Sequence, residues 1–397
     1  MKQSLLLFLL ITSVFEANAC SMYKITKGGK TFVGDNVDYW DANSRMWFEN
    51  AQGDEMGAVY FGFDNLYPQG AMNEAGLVYG SLNVTPREVP ANKHLLSFDG
   101  RMVMRDIMKT CKTVGEVYSK LILYNRTPIG DGMLYFVDQS GDYLIVEVDT
   151  MIRGNDSHYV ISNFCPSQTP DFSTVEIPFF QSARKMMKDQ VDTSLNYLTA
   201  LSDTLHQSWS NNVGGTQYTL IFNLSEGSFQ LFYYHDFKNP IKFNLKAELS
   251  RGNRTVSIPD VFPNNALGHA QLAQYTKAHD FIKQVKDTDL AKDSIQLATY
   301  IQSEGIGPMI NFFQKELYFQ GYDFLKADKK ESAINLFKLN VKYCPKSWNS
   351  YNSLGDIYFD EKDYLKALSY FTRSVELNPE FNENGKSKIK KIEKRIK

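Results

Sequence analysis

The sequence predicts an α+β domain followed by an all-α helical repeat domain, both behind a short leader. Three observations predict this: an apolar N-terminal run that ends in small residues, mixed strand-like and helix-like runs over residues 20 to about 240, and a fixed period among the C-terminal residues. The chain has 397 residues, is 43 % apolar and carries a net charge of −2. That composition supports a packed core and argues against a nucleic-acid surface.

Lys2 begins the leader, Leu5 to Phe15 form its apolar run, and Ala17-Asn18-Ala19 supplies the small residues of a cut after Ala19. The run is too short to span a bilayer, and no later stretch reaches about 18 unbroken apolar residues. A signal peptide over residues 1–19 is therefore expected, with an exported (periplasmic or extracellular) chain that begins at Cys20. A lipoprotein signal also cuts before a cysteine, so a lipid anchor at Cys20 is the alternative. Such signals usually place Leu where this sequence has Ala17.

From Cys20 onward, "TFVGDNVDYW" and "GLVYGSLNV" read as strands, and "GMLYFVDQSGDYLIVEVD" and "QYTLIFNLSEGSFQLFYYH" as hairpins around Gly-containing turns. Arg101 to Leu123 and Phe179 to Leu205 read as helical, and residues 236–264 as irregular. This divides the chain into a catalytic domain over 20–264, a helical linker or degenerate repeat over 265–316, and repeats with a basic capping helix over 317–397. Gly321 and Gly355, Ala333 and Ala367, Phe337 and Phe371, and Pro345 and Pro379 are each 34 residues apart. Small, aromatic and Pro positions at that spacing resemble the tetratricopeptide repeat. Its expected role is scaffold, self-association or docking of a protein partner. If it only docks, a chain cut near residue 310 should still turn over small substrates.

Cys20, Cys111, Cys165 and Cys344 form no CxxC pair, and the last three read as small core or loop residues. A cysteine exposed as the first residue is different. Its α-amine (pKa about 7.7–8.0) and its thiol (about 8.5) both lie near working pH, so the amine can take the thiol proton and later deliver it to a leaving amine.

The motifs "GDNVDYW" (34–40), "GAMNEAGLVYGSLNV" (70–84) and "YVISNF" (159–164) follow Cys20 in order. Together they resemble the choloylglycine hydrolase and penicillin V acylase family of N-terminal-nucleophile hydrolases. The resemblance covers roughly residues 20 to 235 and implies an αββα sandwich that hydrolyses linear amide C–N bonds. It implies Cys20 as nucleophile, Asp38 as the carboxylate that holds the α-amine, and Asn83 and Asn163 as oxyanion donors. Arg184, in "QSARKMM", is the candidate for a stabilising basic residue.

The family's usual Arg or Gln after Gly34 is here Asp35, which would raise the thiol pKa and repel anions. Aromatics from Tyr39 to Tyr67 (Tyr39, Trp40, Trp47, Phe48, Tyr60, Phe61, Phe63 and Tyr67) offer an apolar acyl pocket, at least half of them serving as ordinary core. The implied substrate is a small N-acyl amide; no cofactor and no metal are expected. The alternatives are an acyltransferase of the isopenicillin N type and a lipid-anchored binding protein whose hydrolase domain is inactive.

Overall fold

The computed structural model describes residues 20–39, 41–85, 87, 89–90, 92–208, 215–284, 296, 299, 310–379 and 383–396. The expected leader, Trp40 and most of 285–309 lie outside the described residues.

The described chain opens with the hairpin β1 (Ser21–Lys27) and β2 (Lys30–Tyr39), then a meander of β3 (Ser44–Glu49), β4 (Ala58–Phe63), β5 (Gly70–Asn73) and β6 (Val78–Asn83). After β7 (Leu96–Ser97) come α1 (Gly100–Thr110), α2 (Val114–Leu121) and β8 (Tyr124–Asn125), then β9 (Gly132–Val137), β10 (Tyr143–Val146) and β11 (Met151–Gly154). Next are β12 (His158–Ile161), α3 (Pro178–Asp189) and α4 (Leu195–Leu205). The hairpin β13 (Gly215–Asn223) and β14 (Ser228–Tyr233) follows, with β15 (Ile241–Asn244), α5 (Leu245–Leu249) and β16 (Arg254–Ser257).

Two antiparallel sheets result. Six strands run in the order β12-β1-β2-β13-β14-β15, and eight in the order β11-β10-β9-β6-β5-β4-β3-β16. Met22, Val33, Phe61, Met72, Val137, Leu220 and their neighbours fill the space between the sheets. Val103, Ile107 and Val117 of α1 and α2 cover the outer face of the larger sheet. Phe180, Ala183, Leu198 and Leu201 of α3 and α4 cover the smaller one. The architecture is αββα, because each sheet buries apolar residues on both of its faces.

The expected helix over Arg101 to Leu123 is two. Asp99 caps the first, and a reciprocal cap between Thr113 and Glu116 starts the second. Residues 236–264 are more regular than expected. β15 extends the six-stranded sheet, and β16 pairs with β3 at the edge of the other.

Beyond the sandwich come α6 (Leu267–Gln284), α7 (Ile310–Lys326), α8 (Lys330–Tyr343), α9 (Trp348–Asp360), α10 (Tyr364–Leu377) and α11 (Glu383–Ile396). The 34-residue period has a packing cause that occurs twice. A Cβ on Gly321 would come within 2.7 Å of the Phe337 ring, and one on Gly355 within 2.7 Å of the Phe371 ring. Ile392 of the basic helix α11 is buried in the same cluster as Phe337 and Phe371. The helical stack also rests on the sandwich: Ala42 packs in one cluster with Tyr275 of α6 and Phe313 and Leu317 of α7, and Tyr39 lies against it.

Candidate active site

The central strand β2 breaks the rule that buried strands are apolar: Asp35, Asn36 and Asp38 are all at least 96 % buried. A buried polar cluster in mid-strand marks function more often than stability. Along β2 the side chains alternate. Val33, Val37 and Tyr39 face the core between the sheets, and Asn36 faces α4, donating to the Ser202 carbonyl at 2.8 Å.

Cys20 stands half-buried just before β1. Its thiol donates to the Asp38 carbonyl at 3.5 Å and accepts from the Asp38 N–H at 3.4 Å. Burial raises its pKa well above the usual thiol range, and the charges of Asp38 and Asp35 add to the effect. Asp38 itself is raised well above the carboxylate range, by burial first and by Asp35 as well. One of its oxygens accepts from the Thr216 hydroxyl, and the other is buried without a hydrogen bond. The Gln207 N–H donates to Thr216 Oγ1 at 2.8 Å, which leaves the hydroxyl proton for Asp38.

β13 carries a bulge here. Thr216 pairs with Asp38 and Tyr218 with Val37, while the extra residue Gln217 donates to the Tyr39 carbonyl at 2.8 Å. Burial pushes Asp35 up to about 7, beside a Tyr135 hydroxyl that closes no regular hydrogen bond. Among the described residues, no lysine or arginine is one of the groups that shift Cys20, Asp35 or Asp38.

Asn163 lies two residues beyond Ile161, which pairs with Met22, so continuing the register sets it opposite Cys20. Ser162 Oγ lies 3.1 Å from both the Cys20 carbonyl and Asn163 Oδ1. Asn163 Nδ2 donates to the Asn83 carbonyl at 2.6 Å, joining the two sheets at the ends of β12 and β6. Cys20, Asp38, Asn83 and Asn163 thus converge at one mouth of the sandwich.

Arg184 does not join them. It sits on α3, over the Phe172 and Phe180 rings and bonded to Gln181, in a separate surface hollow with Asp156 and His158. The cause is topological: α3 covers the outer face of the six-stranded sheet, whereas the thiol points inward.

Of the aromatics expected in an acyl pocket, Tyr39 and Phe63 line the mouth, with ring centroids 4.5 Å apart. Phe48 and Phe61 belong to the core between the sheets, and Trp47 and Tyr60 to the layer under α1. Tyr67 lies on the surface under Arg101.

Two hollows adjoin Tyr39, of about 670 and 270 Å³, and α7 borders both. A larger hollow of about 760 Å³, around Arg105 and Lys109, is lined by Trp47 and Phe48 and by none of Cys20, Asp38, Asn83 and Asn163. Thr216, Ser162 and the α7 residues had no local sequence signal. A threonine in a strand, a serine at a strand end and a lysine in a helix are each unremarkable until the fold places them.

Residues 348–381 match the tetratricopeptide repeat family. Among solved structures, the chain is similar to penicillin V acylase from Agrobacterium tumefaciens, at 14 % identity and a TM-score of 0.45, covering 56 % of this chain and 84 % of that one. It is also similar to a conjugated bile acid hydrolase from Clostridium perfringens, at 16 % identity and a TM-score of 0.46, covering 60 % and 96 %. No curated protein matches its sequence.

Proposed function

We propose that the chain is an exported amidase that hydrolyses a linear C–N amide bond through a thioester on Cys20, once the residues before it are removed. The observation that carries this reading is the half-buried Cys20 thiol beside the buried carboxyls of Asp35 and Asp38, with one Asp38 oxygen left unpaired. While Cys20 is joined to Ala19, its nitrogen is an amide with no basic lone pair, and the thiol stays protonated. Cutting that bond creates an ammonium group beside two buried acids, where opposite charge is worth most.

The neutral form of the freed amine takes the thiol proton, and the sulfur attacks the acyl carbon. The tetrahedral oxyanion then accepts from the Asn83 amide and from the Asn163 N–H not engaged with the Asn83 carbonyl, each donor contributing roughly 3 kcal/mol. The α-ammonium returns its proton to the departing nitrogen as the C–N bond breaks. Water, deprotonated by the same amine, then cleaves the thioester and releases the acid. Asp38 orients the amine, and Thr216 and Gln217 hold Asp38 and the strand end in place.

Intact mass of the exported protein tests the reading. It predicts a chain that begins at an unmodified Cys20 and gains one acyl group when mixed with an N-acyl amide. A chain that retains Met1, or a lipid on Cys20, contradicts it.

A further inference from the structure

Asp35 is a buried acid with no part in the acyl-transfer steps at Cys20. On β2 it alternates with Val33 and Val37, so it faces the core between the sheets, where Met22 of β1 is its partner across the ladder. Cys20 lies two residues before Met22 and packs against the same core. Cys20 and Asp35 are therefore diagonal neighbours on one face of the sheet, about 7–8 Å apart.

The opposite sheet is shaped around this carboxyl. Gly70 and Gly80 pair directly across β5 and β6, and Gly80 pairs in turn with Tyr135 on β9. A Cβ on Gly80 would fall 2.3 Å from the Tyr135 hydroxyl, and one on Gly70 would set a methyl 3.7 Å from Asp35 Oδ2. The two bare positions thus leave room for the Tyr135 hydroxyl and the Asp35 carboxyl inside an apolar core. The titratable groups around Asp35 are that hydroxyl, the Tyr218 hydroxyl of β13, the Cys20 thiol and the Asp38 carboxyl of β2 itself. Burial pushes Asp35 up to about 7 in the uncut chain. A nearby ammonium is the kind of group that offsets such a cost.

We propose that Asp35 is a second positioning residue, which holds the freed α-amine of Cys20 as its ammonium from the inner face of β2 and so moves the working range of the site to higher pH. This rests on the amidase reading, in which the amine must be neutral to take the thiol proton. Opposite charges about 7–8 Å apart, at an effective dielectric constant near 20, shift the amine upward by roughly one to two pH units. The protons balance without Asp35: the amine takes one from the thiol and gives it to the departing nitrogen, and both carboxylates keep their charge. The result is a stronger base that is free only at higher pH.

An NMR titration tests this without turnover. The full chain beginning at Cys20 is labelled with ¹³C-cysteine, its terminal thiol is capped as the methyl disulfide so that only the amine titrates, and the terminal Cα resonance is followed with pH. The amine midpoint should fall by about one pH unit or more in Asp35→Asn, and by as much in Asp35→Ser, which is also neutral but smaller. A merely structural role for Asp35 would move the thermal midpoint and not the amine. An unchanged amine midpoint in either folded variant, or a higher one, would overturn the assignment. Acylation of the uncapped chain by an N-acyl amide is read separately. A shifted midpoint with no acyl adduct would sink the amidase reading and leave Asp35 in its role, and an adduct with an unshifted midpoint would do the reverse.

Discussion

Replacing the Cys20 sulfur by oxygen separates chemistry from folding. Cys20→Ser changes the volume little and leaves the backbone contact with Asp38 possible, so the thermal midpoint should hold while acylation falls by orders of magnitude. Asp38→Asn keeps an acceptor for Thr216 but removes the charge that holds the α-amine; a loss on the order of 10²-fold in kcat, with the fold retained, is expected by steady-state kinetics. Asp35 makes a stability prediction for the uncut chain. Its carboxyl is raised by burial from 3.8 to about 7. The folded state therefore binds a proton that the unfolded state has lost between those two values, and stability falls as pH rises through that window. The burial cost is absent below about 4, complete above about 7, and at most about 4 kcal/mol. Urea unfolding at pH 5 and pH 7.5 should show this decline, and Asp35→Asn should reduce it, leaving the part that the raised Asp38 carboxyl contributes.

Strand β2 shows what an element adds to its residues. Gly34 has no room for a side chain: a Cβ there would come within 2.1 Å of the Tyr23 ring, whose hydroxyl is tied to the Leu198 carbonyl at 2.7 Å. Gly34→Ala should therefore cost about 1–3 kcal/mol in urea unfolding, by forcing Tyr23 off the outer face of the sheet. A cost under half that range would mean that the ring yields easily. Much of β2 was legible in the sequence, because Phe32, Val33, Val37 and Tyr39 place strand-forming residues on both sides of Gly34, Asp35 and Asn36. The hairpins β9–β10 and β13–β14 were legible for the same reason, each having apolar runs on both sides of a glycine. Strands β15 and β16 were not. Four residues each, with Lys242 exposed and Arg254 paired to Glu248 at the sheet edges, they gain their structure from a neighbouring strand and not from their own pattern. Cys20, Asp38, Asn83 and Asn163, the candidates named by motif order, lie near one another in the fold. Arg184 was misplaced because helical spacing says nothing about which of two sheets the helix covers.

At the scale of the whole molecule, the repeat region is joined to the sandwich through Ala42 and Tyr39, and α7 borders the hollow that Tyr39 and Asn83 line. Small residues at a 34-residue period revealed the stack, but no period reports which face of it meets another domain. A cut near residue 310 would remove α7 and uncover that apolar contact. The truncated chain should consequently bind N-acyl amides at least tenfold more weakly, read as a rise in KM, while a small activated thioester still acylates Cys20. Unchanged KM would return the helices to a purely docking role. The central claim is that the freed amine of Cys20 switches the site on, and a single added residue tests it most directly. Two chains are prepared, one beginning at Cys20 and one beginning at Ala19, and each is incubated with an N-acyl amide and weighed intact. The account predicts a hydroxylamine-labile acyl adduct on the first and none on the second, although both fold alike. Equal acylation of the two would contradict it.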